Sequence, residues 1–173
     1  MTPAEIKGFI RDIPDFPKPG IMFRDITPLI ANARGLAAVV DQLAEPFLGQ
    51  VDIVLGIESR GFIIGAPVAY RLGVGLAIAR KPGKLPSRFV EEAYELEYGR
   101  AELQMHQDGI AQGARVLLVD DLLATGGTAQ AAVRLARRVG GEVAGCTFVV
   151  ELTGLSGRER LAPLKVTSLV QYD

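Results

Sequence analysis

The sequence predicts an α/β fold, a single-domain Rossmann-like parallel sheet with helices on both faces. Three observations carry that prediction. Segments of strand length alternate along the chain with segments of helical apolar spacing, the pattern of repeated strand–helix–strand units. The strand-length segments are continuous apolar runs, such as VLLV at 116–119, which suits strands covered on both faces. The length, 173 residues, fits one domain, and a domain of this size buries about 70% of the surface that its unfolded chain would expose.

Taken in order, the chain opens with MTPAEIKGFIRDIP and a Pro-rich loop, IPDFPKPG (13–20). Thr27 and Pro28 then read as a helix cap and first helical position, with the Asn32 to Gly35 region interrupting that helix. Leu36, Val39, Val40, Leu43 and Phe47 recur at helical spacing and give one apolar stripe to lay on a sheet. VDIVLGI (51–57) reads as a strand and GFIIGAPVAYRLG (61–73) as a helix stopped by Gly73, with Pro67 an awkward interior residue that predicts a kink. GLAIAR (75–80) is the next strand. Residues 81–99, KPGKLPSRFVEEAYELEYG, show no consistent helical stripe, and so long a connection predicts a functional lid or a disordered loop. Strand 115–119, helix 126–139 and strand 142–150 complete the alternation. There is no internal repeat, low-complexity tract or interdomain linker.

Charge and composition exclude several classes. With 19 Lys and Arg against 20 Asp and Glu, the net charge is −1 and the charges are mixed, so no basic footprint for a nucleic-acid polymer or an anionic membrane is present. No stretch approaches the roughly 18 apolar residues of a membrane helix, and the N-terminus lacks an apolar signal core. The single Cys146 cannot form an internal disulfide and sits in the apolar run GCTFVV, which predicts an inert buried thiol. These features predict a soluble protein of the reducing cytoplasm. The single His106, after the alternating AELQM, is expected to be a solvated strand-end residue and has no second His or Cys for a metal site.

The stretch VLLVDDLLATGGT (116–128) carries the chemistry. Ligands of open α/β sheets bind beyond the carboxyl ends of the strands, which is where Asp120 and Asp121 fall. Two adjacent carboxylates accept hydrogen bonds without donating, so they suit a diol or a hydrated metal ion and repel a bare phosphate. Gly126 and Gly127 let the backbone approach a ligand closely, Thr125 and Thr128 add hydroxyl donors, and the first amides of the following helix favour an anion. The stretch therefore reads as a sugar-phosphate cradle. Neither a Walker A lysine nor a G-x-G-x-x-G pattern is present. The competing reading is that the aspartates merely cap a helix and the glycines merely turn the chain.

A second strand–turn–helix unit, VLGIESRG (54–61), puts Ser59 and Arg60 at its turn, and Arg80, Lys81 and Lys84 follow the next strand. Two neighbouring strand ends can thus offer several cations to one polyanion, such as pyrophosphate. The competing reading is a capping serine and a solvated basic face.

Seven segments, PDFPKPGIMFRDITPL, GIESRGF, RKPGKLP, YELEYGRAEL, VDDLLATGGT, VELTGL and LVQYD, resemble in the same order those of the adenine-specific members of the type I phosphoribosyltransferase family, over nearly the whole chain. The resemblance implies transfer of the 5-phosphoribosyl group from phosphoribosyl pyrophosphate (PRPP) to adenine, giving AMP and pyrophosphate, a purine-salvage reaction assisted by Mg²⁺. It also implies the type I phosphoribosyltransferase fold, with an N-terminal hood (1–35), a flexible catalytic loop (81–99) and a homodimer. By motif, Asp120 and Asp121 would hold the ribose, and Ala124, Thr125, Gly126, Gly127 and Thr128 the 5′-phosphate. Ser59, Arg60, Arg80, Lys81 and Lys84 would meet pyrophosphate and its metal, which no side chain ligates directly. Met22 and Arg24 resemble residues whose backbone reads adenine's edge, while Phe23 and Leu122 would sandwich the ring. Glu97 and Tyr98 resemble the catalytic-loop pair, and Arg60 would assist the departing group. Relatives acting on 6-oxopurines commonly carry an acidic residue near the position of Ala124. Its absence gives the proton task to Glu97 and favours adenine.

The chemistry agrees with such a set. Breaking the bond from an anomeric carbon to pyrophosphate builds positive charge on the ribose ring, which carboxylates favour, while cations neutralise the departing oxygens. Adenine must lose a ring proton, and a closing lid would keep water from the reactive carbon. Two alternatives stand beside this reading: a PRPP-sensing regulator on the same fold, and a phosphoribosyltransferase for another base.

Overall fold

The computed structural model describes residues 1–96 and 99–173. A short helix α1 (Pro3–Lys7) starts on a reciprocal cap. The Thr2 hydroxyl accepts the Glu5 N–H at 3.2 Å and the Glu5 carboxylate accepts the Thr2 N–H at 2.6 Å. Strands β1 (Arg11–Ile13) and β2 (Phe23–Asp25) then pair antiparallel as a small sheet of their own, within the segment expected to form a hood.

Helix α2 (Thr27–Ala31) corrects one expectation. Thr27 is already helical and caps nothing; its N–H and hydroxyl instead donate to the Asp25 carboxylate at 2.9 and 2.8 Å. The predicted interruption is present, because Asn32 ends α2 and caps α3 (Ala33–Ala44) by accepting the Gly35 N–H at 2.9 Å. Strand β3 (Ile53–Ile57) leads into α4 (Arg60–Leu72), which Gly73 stops in the left-handed region at φ 70°. Pro67 lies inside α4 without ending it. Strand β4 (Gly75–Ala79) follows.

Residues 81–99 are not an irregular loop throughout. From Phe89 the chain forms β5 (Phe89–Leu96), which pairs antiparallel with β6 (Gly99–His106) from Phe89↔His106 inward. Cross-strand partners supplied by the following segment make a strand where the sequence offers no local stripe. The hairpin is tied to β4 by two backbone hydrogen bonds between Arg80 and Gln104, of 2.8 and 2.7 Å. It lies on α5 (Gly127–Arg138), where Arg138 donates to the Glu91 carbonyl at 2.6 Å and Arg134 pairs with Glu92 at 3.3 Å. His106 ends β6 as expected and is half-buried, its Nε2 shielded from solvent without a hydrogen-bond partner among the described residues.

Strand β7 (Arg115–Leu123) is longer than the apolar run that predicts it, because Asp120, Leu122 and Leu123 continue the ladder against Phe148, Val150 and Glu151 of β8 (Glu142–Leu152). After α6 (Gly157–Arg160), β9 (Val166–Tyr172) closes the sheet. The sheet is wholly parallel, in the order β4–β3–β7–β8–β9. Its inward residues alternate between two cores. Val54, Leu117 and Val119 pack with α3 and α4, whereas Leu55, Leu118 and Phe148 pack with α5 and with Leu103 and Met105 of the hairpin. Burial on both faces is why the strands read as unbroken apolar runs. Cys146 is buried as predicted, and desolvation pushes its thiol up to about 12. Among the described residues no helix is long and apolar enough to cross a membrane.

The chain leaves β3 toward β4 on one side and returns to β7 on the other. The connections that follow β3 and β7 therefore run to opposite sides, and such a reversal opens a crevice at the strands' carboxyl ends, where ligands of open sheets bind.

Candidate active site

A cavity of about 330 Å³ lies at that reversal. The turn after β3 supplies Glu58, Ser59 and Arg60, β7 supplies Asp120 to Leu123, and the loop into α5 supplies Ala124 to Thr128. Lys81 after β4 and Tyr94 from β5 close its sides.

The aspartates do not cap α5. That helix begins at Gly127 with Gly126 as its boundary residue at φ 81° and has no side-chain cap, so its first amides remain available to an anion. Ser59 likewise occupies the boundary of α4 without capping it. Asp120 accepts the N–H of Asp121 at 2.9 Å, and Asp121 accepts a hydrogen bond from Nε of Arg60. The predicted sugar, phosphate and cation residues of two separate strand–turn–helix units thus meet in one cavity.

A phosphoribosyl transferase domain model matches residues 22–169. Among similar proteins, the adenine phosphoribosyltransferase of Thermosynechococcus vestitus is 56% identical over 97% of this chain and 99% of its own. That of Chloroflexus aurantiacus is 55% identical over 99% and 100%. The crystal structure of adenine phosphoribosyltransferase from Thermoanaerobacter pseudethanolicus superposes with a TM-score of 0.96 at 48% identity, covering 99% of this chain and 100% of that one. The chain belongs to the adenine phosphoribosyltransferase family.

Several of the residues that the family resemblance assigns lie outside this cavity wall. Arg80 and Lys84 do not line the cavity. The Arg80 guanidinium donates to the Glu58 carboxylate at 3.2 and 3.5 Å and to the Lys84 carbonyl at 3.3 Å, so it acts on the cavity through Glu58. Met22, Phe23 and Arg24 also lie outside the cavity wall, whereas Leu122 is part of it. Phe23 reaches its edge, with the Arg60 guanidinium carbon 5.2 Å from its ring centroid and Phe16 edge-on at 5.1 Å. The Arg24 side chain turns away, pairing with Asp12 at 2.5 Å and stacking 3.9 Å from the Tyr172 ring centroid. Glu97 and Tyr98 lie outside the described residues.

Other contributors escaped the sequence reading. Glu58 lines the cavity. Burial, the largest influence on its carboxyl, raises its pKa, but the Lys81 N–H at 2.9 Å and the Arg80 guanidinium outweigh it and hold Glu58 below the ordinary value. The signal was an acid immediately before Ser59 in the same turn. Gly61 allows α4 to meet β7, since a Cβ there would fall 2.8 Å from Oδ1 of Asp120 and 2.9 Å from the Val119 carbonyl. Tyr94 stands against Gly127, and Gly157 stands against the 124–126 loop. These contacts join distant segments, so no local pattern announced them.

Asp120 is electrostatically perturbed. Desolvation first, and the adjacent Asp121 charge second, raise its carboxyl well above the usual carboxylate range. Among the described residues no group of three His, Cys, Asp or Glu side chains could cage a metal ion. Two adjacent carboxylates, one of them already held by Arg60, fit a hydrated Mg²⁺ carried mainly by a diphosphate better than a protein-caged ion.

Proposed function

We propose the following division of labour for the family's reaction, transfer of 5-phosphoribosyl from PRPP to adenine with release of pyrophosphate and formation of AMP in purine salvage. Asp120 and Asp121 hold the ribose hydroxyls, and the uncapped amides at Gly126 to Thr128, with Ala124 and Thr125, hold the 5′-phosphate. Ser59, Arg60 and Lys81 receive the pyrophosphate, while Arg80 and Lys84 shape that end of the site through Glu58. The observation that carries this reading is the convergence of the β3 and β7 turns on one cavity with carboxylates and an open helix start side by side.

As the bond to pyrophosphate stretches, charge separates along it. The aspartates favour the cationic ribose, and Arg60 and Lys81 favour the departing anion. Mg²⁺, when bound with PRPP, adds neutralising charge on the diphosphate oxygens. Adenine enters between Phe23 and Leu122, with the backbone of Met22 and Arg24 reading its edge, and Glu97, beside Tyr98 on the catalytic loop, takes the ring proton. Replacing Glu97 by Gln is expected to lower single-turnover rates by about 10²- to 10⁴-fold with PRPP affinity unchanged; a wild-type rate would remove Glu97 from this role.

The chain is proposed to act as a homodimer. Ile63 and Tyr70, two turns apart on α4, and Leu76 on the edge strand β4 are exposed and apolar, 50%, 89% and 38% respectively, and together suit a second copy of this face. Cytoplasmic residence accords with the free, buried Cys146. The deciding assay incubates the protein with PRPP and Mg²⁺ and, separately, adenine, hypoxanthine, guanine, xanthine, uracil and orotate. AMP from adenine alone is expected. PRPP binding without any nucleotide product would identify a sensor, and turnover of another base would reassign the substrate.

A further inference from the structure

Glu151 is a buried carboxylate, 3% exposed, that lines no part of the cavity. It sits near the end of β8, beside Leu123 on β7, the residue from which the phosphate loop departs. Arg158 of α6 grips it with both arms of its guanidinium, Nε to Oε1 at 2.9 Å and Nη2 to Oε2 at 2.5 Å. The same Arg158 donates to the Val166 carbonyl at 2.7 Å, and the Ser168 hydroxyl donates to Glu151 at 2.5 Å, so the pair is fastened to both β8 and β9. One residue before Arg158 is Gly157. A Cβ on Gly157 would fall 2.1 Å from the Ala124 carbonyl and 3.0 Å from the Gly126 nitrogen; one on Gly126 would fall 2.6 Å from the Gly157 carbonyl. Backbone therefore rests on backbone where the loop turns into α5.

We propose that Glu151 and Arg158 are positioning residues for the 5′-phosphate loop, their forked ion pair pressing Gly157 against Ala124–Gly126 and so aiming the loop's amides. The inference rests on the reading that this loop takes the phosphate. Glu151 is buried but the Arg158 side chain is 43% exposed, and so exposed a pair adds little stability, whereas a planar fork fixes the direction of the chain that carries it. Neither residue touches substrate. Their effect passes through one peptide unit to Gly157 and from it to the loop.

The test compares wild type with Glu151→Ala and with the milder Arg158→Lys, which keeps the charge and loses the fork. In Glu151→Ala the KM for PRPP is expected to rise about ten- to a hundredfold, the loss that one misaligned hydrogen bond to a charged group produces. The adenine KM, and kcat at saturating PRPP, are expected to stay near wild type, and Arg158→Lys should move in the same direction by less. Amide hydrogen exchange is measured in parallel, with and without PRPP. Faster exchange at 125–128 in the ligand-free variants, with the remaining sheet unchanged, supports the proposal. Unchanged PRPP KM and unchanged exchange at 125–128 in either folded variant overturn it, as does a proportional loss in every kinetic constant. Should PRPP fail to protect 125–128 in the wild type, the phosphate-loop reading itself is what falls.

Discussion

Asp120→Asn is expected to raise the melting temperature of the ligand-free protein at pH 7 while removing nearly all phosphoribosyl transfer. The two effects have one cause. Asp120 is held well above the ordinary carboxylate value by burial and by the Asp121 charge, whereas in the unfolded chain it titrates near the usual ~3.9. Between those two values the unfolded state ionises and the folded state keeps its proton, so stability falls as pH rises through that window and the penalty is fully present above the folded value. Asn removes the penalty and keeps the hydrogen bond, since its carbonyl oxygen can still accept the Asp121 N–H that Oδ1 now accepts at 2.9 Å. The variant's advantage should therefore be absent below the unfolded value and grow with pH, each kcal/mol showing as about 2–4 °C in Tm. Activity moves the other way because an amide, unlike Asp120, cannot ionise as positive charge develops on the ribose. Thermal melts of both proteins from pH 3 to 8 decide the matter. A variant no more stable than wild type at any pH, or one that keeps its turnover, would contradict the assignment.

Gly126→Ala is the second large effect. The residue has φ 81°, a conformation that disfavours a side chain by about 1–2 kcal/mol. Its Cβ would also fall 2.6 Å from the Gly157 carbonyl, a backbone atom that cannot swing aside as a flexible side chain would. Relief requires the turn into α5 to shift, and the amides intended for phosphate shift with it. PRPP affinity is expected to fall about 10²-fold, the worth of one hydrogen bond to a charged group, with a visible drop in Tm. Calorimetric titration with PRPP measures the first and thermal melting the second. Gly73→Ala serves as a control, because Gly73 has a similar φ of 70° but open space around its Cβ position. That control should lose stability alone. Equal loss of PRPP affinity in both variants would mean that the Gly126 effect is merely conformational.

Much of this arrangement was legible along the chain because its causes are local. Continuous apolar runs announced β3, β4, β7 and β8, and the 3.6-residue stripe announced α3. The gathering of the proposed cradle residues was legible for a similar reason, since two carboxylates, two glycines and two threonines fall within nine residues and all six line one cavity. Expectations failed where a partner distant in sequence decided the outcome. Residues 89–96 are a strand because 99–106 lies beside them, and β7 runs on through its aspartates because β8 continues opposite. Thr27 is a local exception, leaving its capping position because Asp25, two residues before it, accepts both of its donors.

The order of residues alone was enough to establish an α/β chain of this family and to single out the residue types proposed to grip sugar and phosphate, since those depend on periodicity, backbone freedom and charge within short windows. Folding in three dimensions settled which cations face the cavity and which, like Arg80, brace it from behind. It also brought Glu58, Gly61 and Gly157 into the site, because approach distances between remote backbones and the burial of Asp120 are properties of packing, and packing is not written in any one stretch of chain.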